Sequence, residues 1–88
     1  MKYNYAGKSI EATDSLRQRV EKKLGKLDKY FRDDAEALIR FKQQKGNRNS
    51  CELTITAGSL ILRAEESSAD MYQSIDAAVE KIESQIVR

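Results

Sequence analysis

Residues 16–32 restrict the chain to folds in which a helix lies on an apolar layer with one side only. At about 100° per residue, Leu16, Val20, Leu24 and Leu27 fall within about 80° of one another, which makes a single core-facing seam. A second helix is predicted from about residue 69 or 70 to the end of the chain. Its seam is Met71, Ile75, Ala78, Val79, Ile82 and Ile86. The apolar period between the two helices is 2. Ala37, Ile39 and Phe41 alternate with Leu38, Arg40 and Lys42; Cys51, Leu53 and Ile55 alternate with Glu52, Thr54 and Thr56. Leu60, Leu62 and Ala64 alternate with Ile61, Arg63 and Glu65 in a further strand.

Residues 2–6 read as a short first strand ending at Gly7. Thr13 is a good N-cap and Asp14 suits the helix dipole. The first helix is expected to run to Tyr30 or Phe31, with a break at Asp33-Asp34. Residues 45–49 form a turn-rich, cationic connection, and Ala57-Gly58-Ser59 is short enough for a hairpin turn. The order is β-α-β-β-β-α. A strand–helix–strand unit crosses over right-handedly, so the first two strands should be parallel and the rest an antiparallel meander. The expected class is α+β: a four-stranded sheet with both single-seamed helices on one face and the other face open.

The chain has 88 residues, 40% hydrophobic and 34% charged, which is one folded domain with a modest core. No apolar run approaches 18 residues, and the N-terminus lacks a signal-peptide apolar region, so a cytoplasmic location and no membrane contact are expected. One cysteine cannot form an internal disulfide, in keeping with a reducing compartment. The charge is unevenly spread. Residues 1–48 carry 13 Lys and Arg against 7 Asp and Glu, whereas residues 49–88 carry 3 against 7. Such asymmetry arises by chance in short chains or marks a cationic face for nucleic acid.

The first helix favours the second reading. Arg19, Lys22, Lys26 and Lys29 form a stripe of their own, about 80° wide and without an acid among them. Asp14, Glu21 and Asp28 gather elsewhere on the helix. Like-charge neighbours at i,i+3 and i,i+4 cost a few tenths of a kcal/mol each, so the stripe suggests a surface shaped for an anion. Arg40, Lys42, Lys45 and Arg48 extend the possible footprint, and Lys81 and Arg88 repeat the sidedness faintly on the second helix, with Ser74, Ala77 and Gln85 around them. Gly25, opposite the seam in mid-helix, fits either close approach by a partner or drift at an exposed site.

Catalysis is argued against. There is no histidine, and Cys51 sits at an inward strand position as a small core residue. Glu65, Glu66 and Asp70 could hold a weak Mg²⁺, but stabilisation of a helix N-terminus by Asp70 and ordinary solvation explain them better. Isolated glycines give no phosphate-cradling loop. No cofactor, metal or small-molecule substrate is expected. Phe41 points inward, Tyr3 and Tyr5 stand alone, and Tyr30, Phe31 and Tyr72 near helix ends are expected to pack. Base-stacking platforms are therefore disfavoured, and helical cations suit the phosphate backbone of structured RNA.

Two motifs now become significant. Ile10-Glu11-Ala12-Thr13-Asp14-Ser15-Leu16-Arg17, followed by Val20-Glu21-Lys22-Lys23-Leu24-Gly25-Lys26-Leu27-Asp28-Lys29-Tyr30-Phe31, resembles the first helix of the ribosome hibernation-promoting factors. Leu60-Ile61-Leu62-Arg63-Ala64-Glu65-Glu66, followed by Asp70-Met71-Tyr72 and Ile75-Asp76, resembles the last strand and second helix of the same family, also called ribosome-associated inhibitors or sigma-54 modulation proteins. The resemblance implies a β-α-β-β-β-α domain similar to double-stranded RNA-binding domains. It also implies binding in the mRNA and tRNA channel of the small ribosomal subunit, through ribosomal RNA and with ribosomal proteins as further possible contacts, which silences translation under stress. Lys22, Lys23, Lys26 and Lys29 match the family's first-helix lysines and Lys81 its second-helix lysine. Arg19, Arg40, Lys42, Lys45, Arg48 and Arg88 are added from charge geometry alone.

Family members usually continue into a basic tail, or into a linker and a second domain that pairs ribosomes. The resemblance therefore allows a single ribosome-binding domain of residues 1–88, complete or at the N-terminus of a longer protein, that inhibits ribosomes without pairing them. A different class of function stays open beside it: a protein-interaction module that uses a sheet edge or the open sheet face, for example on a transcription factor.

Overall fold

The computed structural model describes residues 1–6, 13–31 and 34–86. They form strand β1 (Lys2–Ala6), helix α1 (Asp14–Gly25), a single 3₁₀ turn (Asp28–Tyr30), strands β2 (Glu36–Gln44), β3 (Arg48–Ala57) and β4 (Leu60–Ser68), and helix α2 (Met71–Ile86). The sheet order is β1-β2-β3-β4, with β1 parallel to β2 and the other pairs antiparallel, as the crossover argument requires. The register aligns Ala37, Ile55 and Leu62 in one row and Ile39, Leu53 and Ala64 in the next. Those rows, with Phe41 and Cys51, meet the seams of both helices in one core.

Local chemistry sets the connections. Between β2 and β3, Gly46 and Asn47 both have positive φ (77° and 59°), a region that Gly and Asn enter at low cost. Gly58 (φ 63°) opens the two-residue turn between β3 and β4, the position where a type II′ hairpin needs glycine. Thr13 caps α1 as expected, its hydroxyl accepting from the Leu16 amide at 3.3 Å. Asp70 caps α2, one carboxylate oxygen accepting from the Tyr72 amide at 3.0 Å. The edge of β4 is partly covered: Gln85 of α2 donates to the Arg63 carbonyl at 2.8 Å.

Several expectations need correction. α1 ends at Gly25 rather than at Tyr30 or Phe31, so Gly25 is a terminal and not a mid-helix residue. Leu27 still reaches the core, only 2% exposed, because the 3₁₀ turn that follows carries the seam onward. Leu60 has the inward alternation yet lies beyond the helices and is exposed. Tyr30 and Tyr72 are also exposed rather than packed. Tyr5 does not stand alone: its ring stacks on Phe41 with centroids 6.3 Å apart, and its hydroxyl donates to Glu21 at 2.7 Å. Gly7 and Asp33 lie outside the described residues.

Three polar contacts dock the helices. Ser74, placed among the exposed residues of the second helix from sequence, is fully buried. Its hydroxyl donates to the Asn49 carbonyl at 2.6 Å and lies 2.7 Å from the Ser68 hydroxyl, while the Asn49 amide donates to the Ala69 carbonyl at 3.1 Å. These bonds fix the start of α2 at the β2–β3 hairpin end of the sheet. The α-amino group of Met1 lies 3.7 Å from Asp28, which places the end of the α1 segment at the opposite end. The helices therefore run side by side in the same direction. Arg19 spans them, its Nε and Nη2 donating to the two carboxylate oxygens of Asp76 at 2.9 and 2.7 Å.

Replacing Ser74 with Ala leaves the buried Asn49 carbonyl without this donor, so urea denaturation is expected to show a loss of about 1–3 kcal/mol. The Arg19 hydrogen bonds hold the Asp76 carboxyl below its usual range. A depressed carboxylate contributes stability that is present above its unfolded value and lost as pH falls through its folded value. Urea midpoints for Asp76→Asn should therefore lie below wild type at pH 7, and the gap should close as the pH drops well below about 3.9. A gap independent of pH would mean that the clamp does not act through charge.

Candidate nucleic-acid interface

On α1, the seam residues Leu16, Val20 and Leu24 turn inward and leave Lys22 and Lys26 on the solvent side. Lys29, on the 3₁₀ turn, is also exposed, and its amine lies 5.3 Å from the centroid of the Tyr30 ring. Among the described residues, none of Lys22, Lys23, Lys26 and Lys29 forms an ion pair. The stripe is less free of acid than the helix alone implies. Lys23, half-buried, and Lys26 line a groove with Leu27 whose far wall is Asp76, Val79, Glu80 and Glu83 of α2. The like-charge cost on α1 is thus offset by carboxylates supplied from its neighbour.

The other predicted cations separate into distinct places. Arg19 is committed to Asp76 and stacks over Tyr72, its guanidinium carbon 5.6 Å from the ring centroid. Lys81 of α2 pairs with Glu66 at 2.7 Å. Arg40 and Lys42 do not extend the helix stripe, because they lie on the opposite, open face of the sheet. Arg40 approaches Glu52 at 3.7 Å and Lys42 approaches Glu65 at 3.2 Å. Their alternation with the inward Phe41 already put them there. Lys45 and Arg48 are exposed at the β2–β3 hairpin, with Lys45 in the turn and Arg48 starting β3. Arg88 lies outside the described residues.

Two of the cations that sequence reasoning did not select make contacts in the structure. Arg17 stacks on the Tyr5 ring at 5.3 Å, and Arg63 shares Glu52 with Arg40 at 3.4 Å. The β3–β4 register that places Thr54 beside Arg63 supplies the signal for the second. The open sheet face is therefore largely neutralised within itself and carries exposed Leu38 and Ile61. The helix face carries the uncommitted charge.

The candidate chemical centres dissolve on inspection. Cys51 is fully buried, and burial pushes its thiol up to about 12, so it stays protonated and inert at neutral pH. Glu65, Glu66 and Asp70 diverge to Lys42, to Lys81 and to the α2 cap. Among the described residues, no group of three or more His, Cys, Asp or Glu is placed to hold a metal ion. No helix among them is long and apolar enough to cross a membrane.

Comparison with known proteins agrees with this geometry. The crystal structure of the Thermus thermophilus Protein Y N-terminal domain superposes with a TM-score of 0.86 at 33% identity, covering 98% of this chain and 96% of that one. A ribosomal subunit interface protein from Coxiella burnetii shares the fold, with a TM-score of 0.84 at 23% identity over 99% of this chain and 94% of that one. The Ribosome hibernation promotion factor of Lactococcus lactis subsp. cremoris (strain MG1363) is 47% identical over 88 residues. That of Bacillus subtilis (strain 168) is 41% identical over the same length. Each alignment takes in 98% of this chain but only 48% and 47% of those proteins, so the chain spans about half the length of the curated relatives it matches. The family model described as Sigma 54 modulation protein / S30EA ribosomal protein matches residues 3–88, and the chain belongs to that family.

Proposed function

We propose that this domain promotes ribosome hibernation by binding ribosomal RNA of the small subunit through the helix face and occluding the mRNA and tRNA channel. The observation that carries the reading is the row Lys22, Lys26 and Lys29: exposed, without ion-pair partners among the described residues, and lying across the end of α1. Lysine ammonium groups in such a row meet successive phosphates as point charges, which suits backbone and shape recognition. The relatives named as ribosome hibernation promotion factors support a ribosomal partner for this reading. Lys23 stands at the edge of the row. Lys45 and Arg48 are a second cationic point at the hairpin. Arg19 contributes by positioning, since its charge is already taken by Asp76. Silencing by occupancy needs no turnover, no metal and no cofactor.

A second reading places a protein partner on the open sheet face. The observation in its favour is that the cations there are paired while Leu38 and Ile61 stay exposed. The two faces make the readings separable.

Association of the domain with purified small subunits should weaken steeply with salt, because each neutralised phosphate releases counterions. Joint replacement of Lys22, Lys26 and Lys29 by Glu should abolish cosedimentation in sucrose gradients while the circular dichroism spectrum stays native. Neutralising them with Gln should flatten the plot of log affinity against log salt by about one unit per lysine lost. Arg40→Glu, on the opposite face, should leave sedimentation unchanged. Unchanged cosedimentation of the triple Glu variant, with loss in Arg40→Glu, would transfer the contact to the sheet.

A further inference from the structure

The lysine row has a neighbour of a different character. Between the first halves of α1 and α2 lies a cleft of about 220 Å³ lined by Ser15, Gln18, Arg19, Lys22 and Tyr72. Its walls are an aromatic ring and a guanidinium plane, both held from behind. The Arg19 guanidinium is locked by two hydrogen bonds to Asp76, one turn along α2 from Tyr72, and packs over the Tyr72 ring. The backbone of Tyr72 is fixed by the Asp70 cap. The ring nevertheless remains 37% exposed. The cleft is also close to neutral. Arg19 is balanced by Asp76, Asp70 is near enough to act on Arg19, and Lys22 has no ion pair among the described residues. A bare phosphate would find the Lys22 ammonium and the Arg19 guanidinium there, with the carboxylates of Asp76 and Asp70 close by. A planar, uncharged group with a phosphate one step away would find a ring to stack on and Lys22 for its charge.

We infer that this cleft seats a single unpaired nucleotide, its base stacked on Tyr72 and its phosphate met by Lys22. The inference rests on the ribosomal-RNA reading above and deepens it. Unpaired bases are the part of RNA that aromatic rings and arginine planes can grip, and stacking on a ring tolerates any base. The cleft is smaller than the pockets that enclose small ligands, roughly 300–1,000 Å³, so it is a shelf for one planar group and not a cavity for a metabolite. Side-chain groups of Ser15 and Gln18 border the shelf, where a hydroxyl and an amide can donate to or accept from a base edge or a ribose hydroxyl. Base stacking, which the strands do not offer, is thereby supplied by the helices. Arg19 acts here as a positioning residue, holding the ring while its own charge is spent on Asp76.

The test is equilibrium binding of the domain to purified small subunits at several salt concentrations, with Tyr72→Phe, Tyr72→Leu and Tyr72→Ala. Phe keeps the π-face and should bind within about twofold of wild type. Leu and Ala remove it and should weaken binding by about 5- to 150-fold, with the slope against log salt unchanged because no charge is lost. Wild-type affinity in Tyr72→Ala would overturn the inference. So would equal affinity of the Leu and Phe variants, since that makes the contact apolar packing, as a protein side chain would provide. Should Tyr72→Ala fail to fold, the comparison of Phe with Leu still decides. If the triple lysine reversal abolishes binding while all three Tyr72 variants bind normally, only the nucleotide shelf fails. If the wild-type domain does not bind subunits at all, the ribosomal reading fails and the shelf with it.

Discussion

Val20, Leu24, Ile75 and Ile82 are fully buried against Ile39, Leu53 and Ile55, and this single apolar layer determines what every other surface can be. Each helix has one seam and spends it on the same face of the sheet, so both must lie side by side there. The parallel pairing of β1 with β2 sets the direction of α1, and the Ser74–Asn49 hydrogen bond sets that of α2. With both helices pointing the same way, the sixth residue of each, Arg19 and Asp76, come opposite one another. A half-exposed ion pair of this kind adds little to stability by itself. Its two hydrogen bonds set the spacing between the two helices.

The same packing separates the charges into committed and uncommitted groups. On the sheet, Arg40 and Arg63 share Glu52, and Lys42 pairs with Glu65. On the helices, Lys81 pairs with Glu66. The α1 lysines are left without such partners, although Lys23 and Lys26 sit across a groove from Asp76, Glu80 and Glu83. That arrangement weakens the repulsion along α1 without quenching the field above it, because carboxylates at groove distance act through partly screened solvent while an ion pair would remove the ammonium from availability.

The fold was legible to the extent that it is written in periodicity. Leu16, Val20 and Leu24 at helical spacing, and three stretches alternating at period 2, fixed the element order, the parallel first pair and the one-sided core. The end of α1 was not legible, because Leu27 lies on the seam whether the chain continues as an α-helix or tightens into a 3₁₀ turn. Ser74 is not legible as a buried residue, because a serine beside an apolar seam reads as a polar flank and its partner, the Asn49 carbonyl, lies on a distant strand. Arg19 counted as a free cation because its carboxylate is 57 residues away in sequence, where no helical wheel can show it. Charge alone groups Arg40 and Lys42 with the helix cations, although their parity with Phe41 sets them on the other face. Local patterns are read along the chain, whereas commitments between elements are made across it.

The spacing of the lysine row depends on the feature that ended α1 early. A helix continued straight to Phe31 would carry Lys29 onward around its axis in the helical phase. Instead, Leu27 is pulled into the core and the Tyr30 amide donates to the Leu27 carbonyl at 2.9 Å, closing the 3₁₀ turn. The contact of Asp28 with the N-terminal amine of β1 ties that turn to the sheet. Lys26 and Lys29 are thus held on either side of a buried core residue, with their ammonium groups on long side-chain stems. A surface built to place charge against a backbone needs this division, with rigid Cα positions to set the register and flexible stems to reach the phosphates.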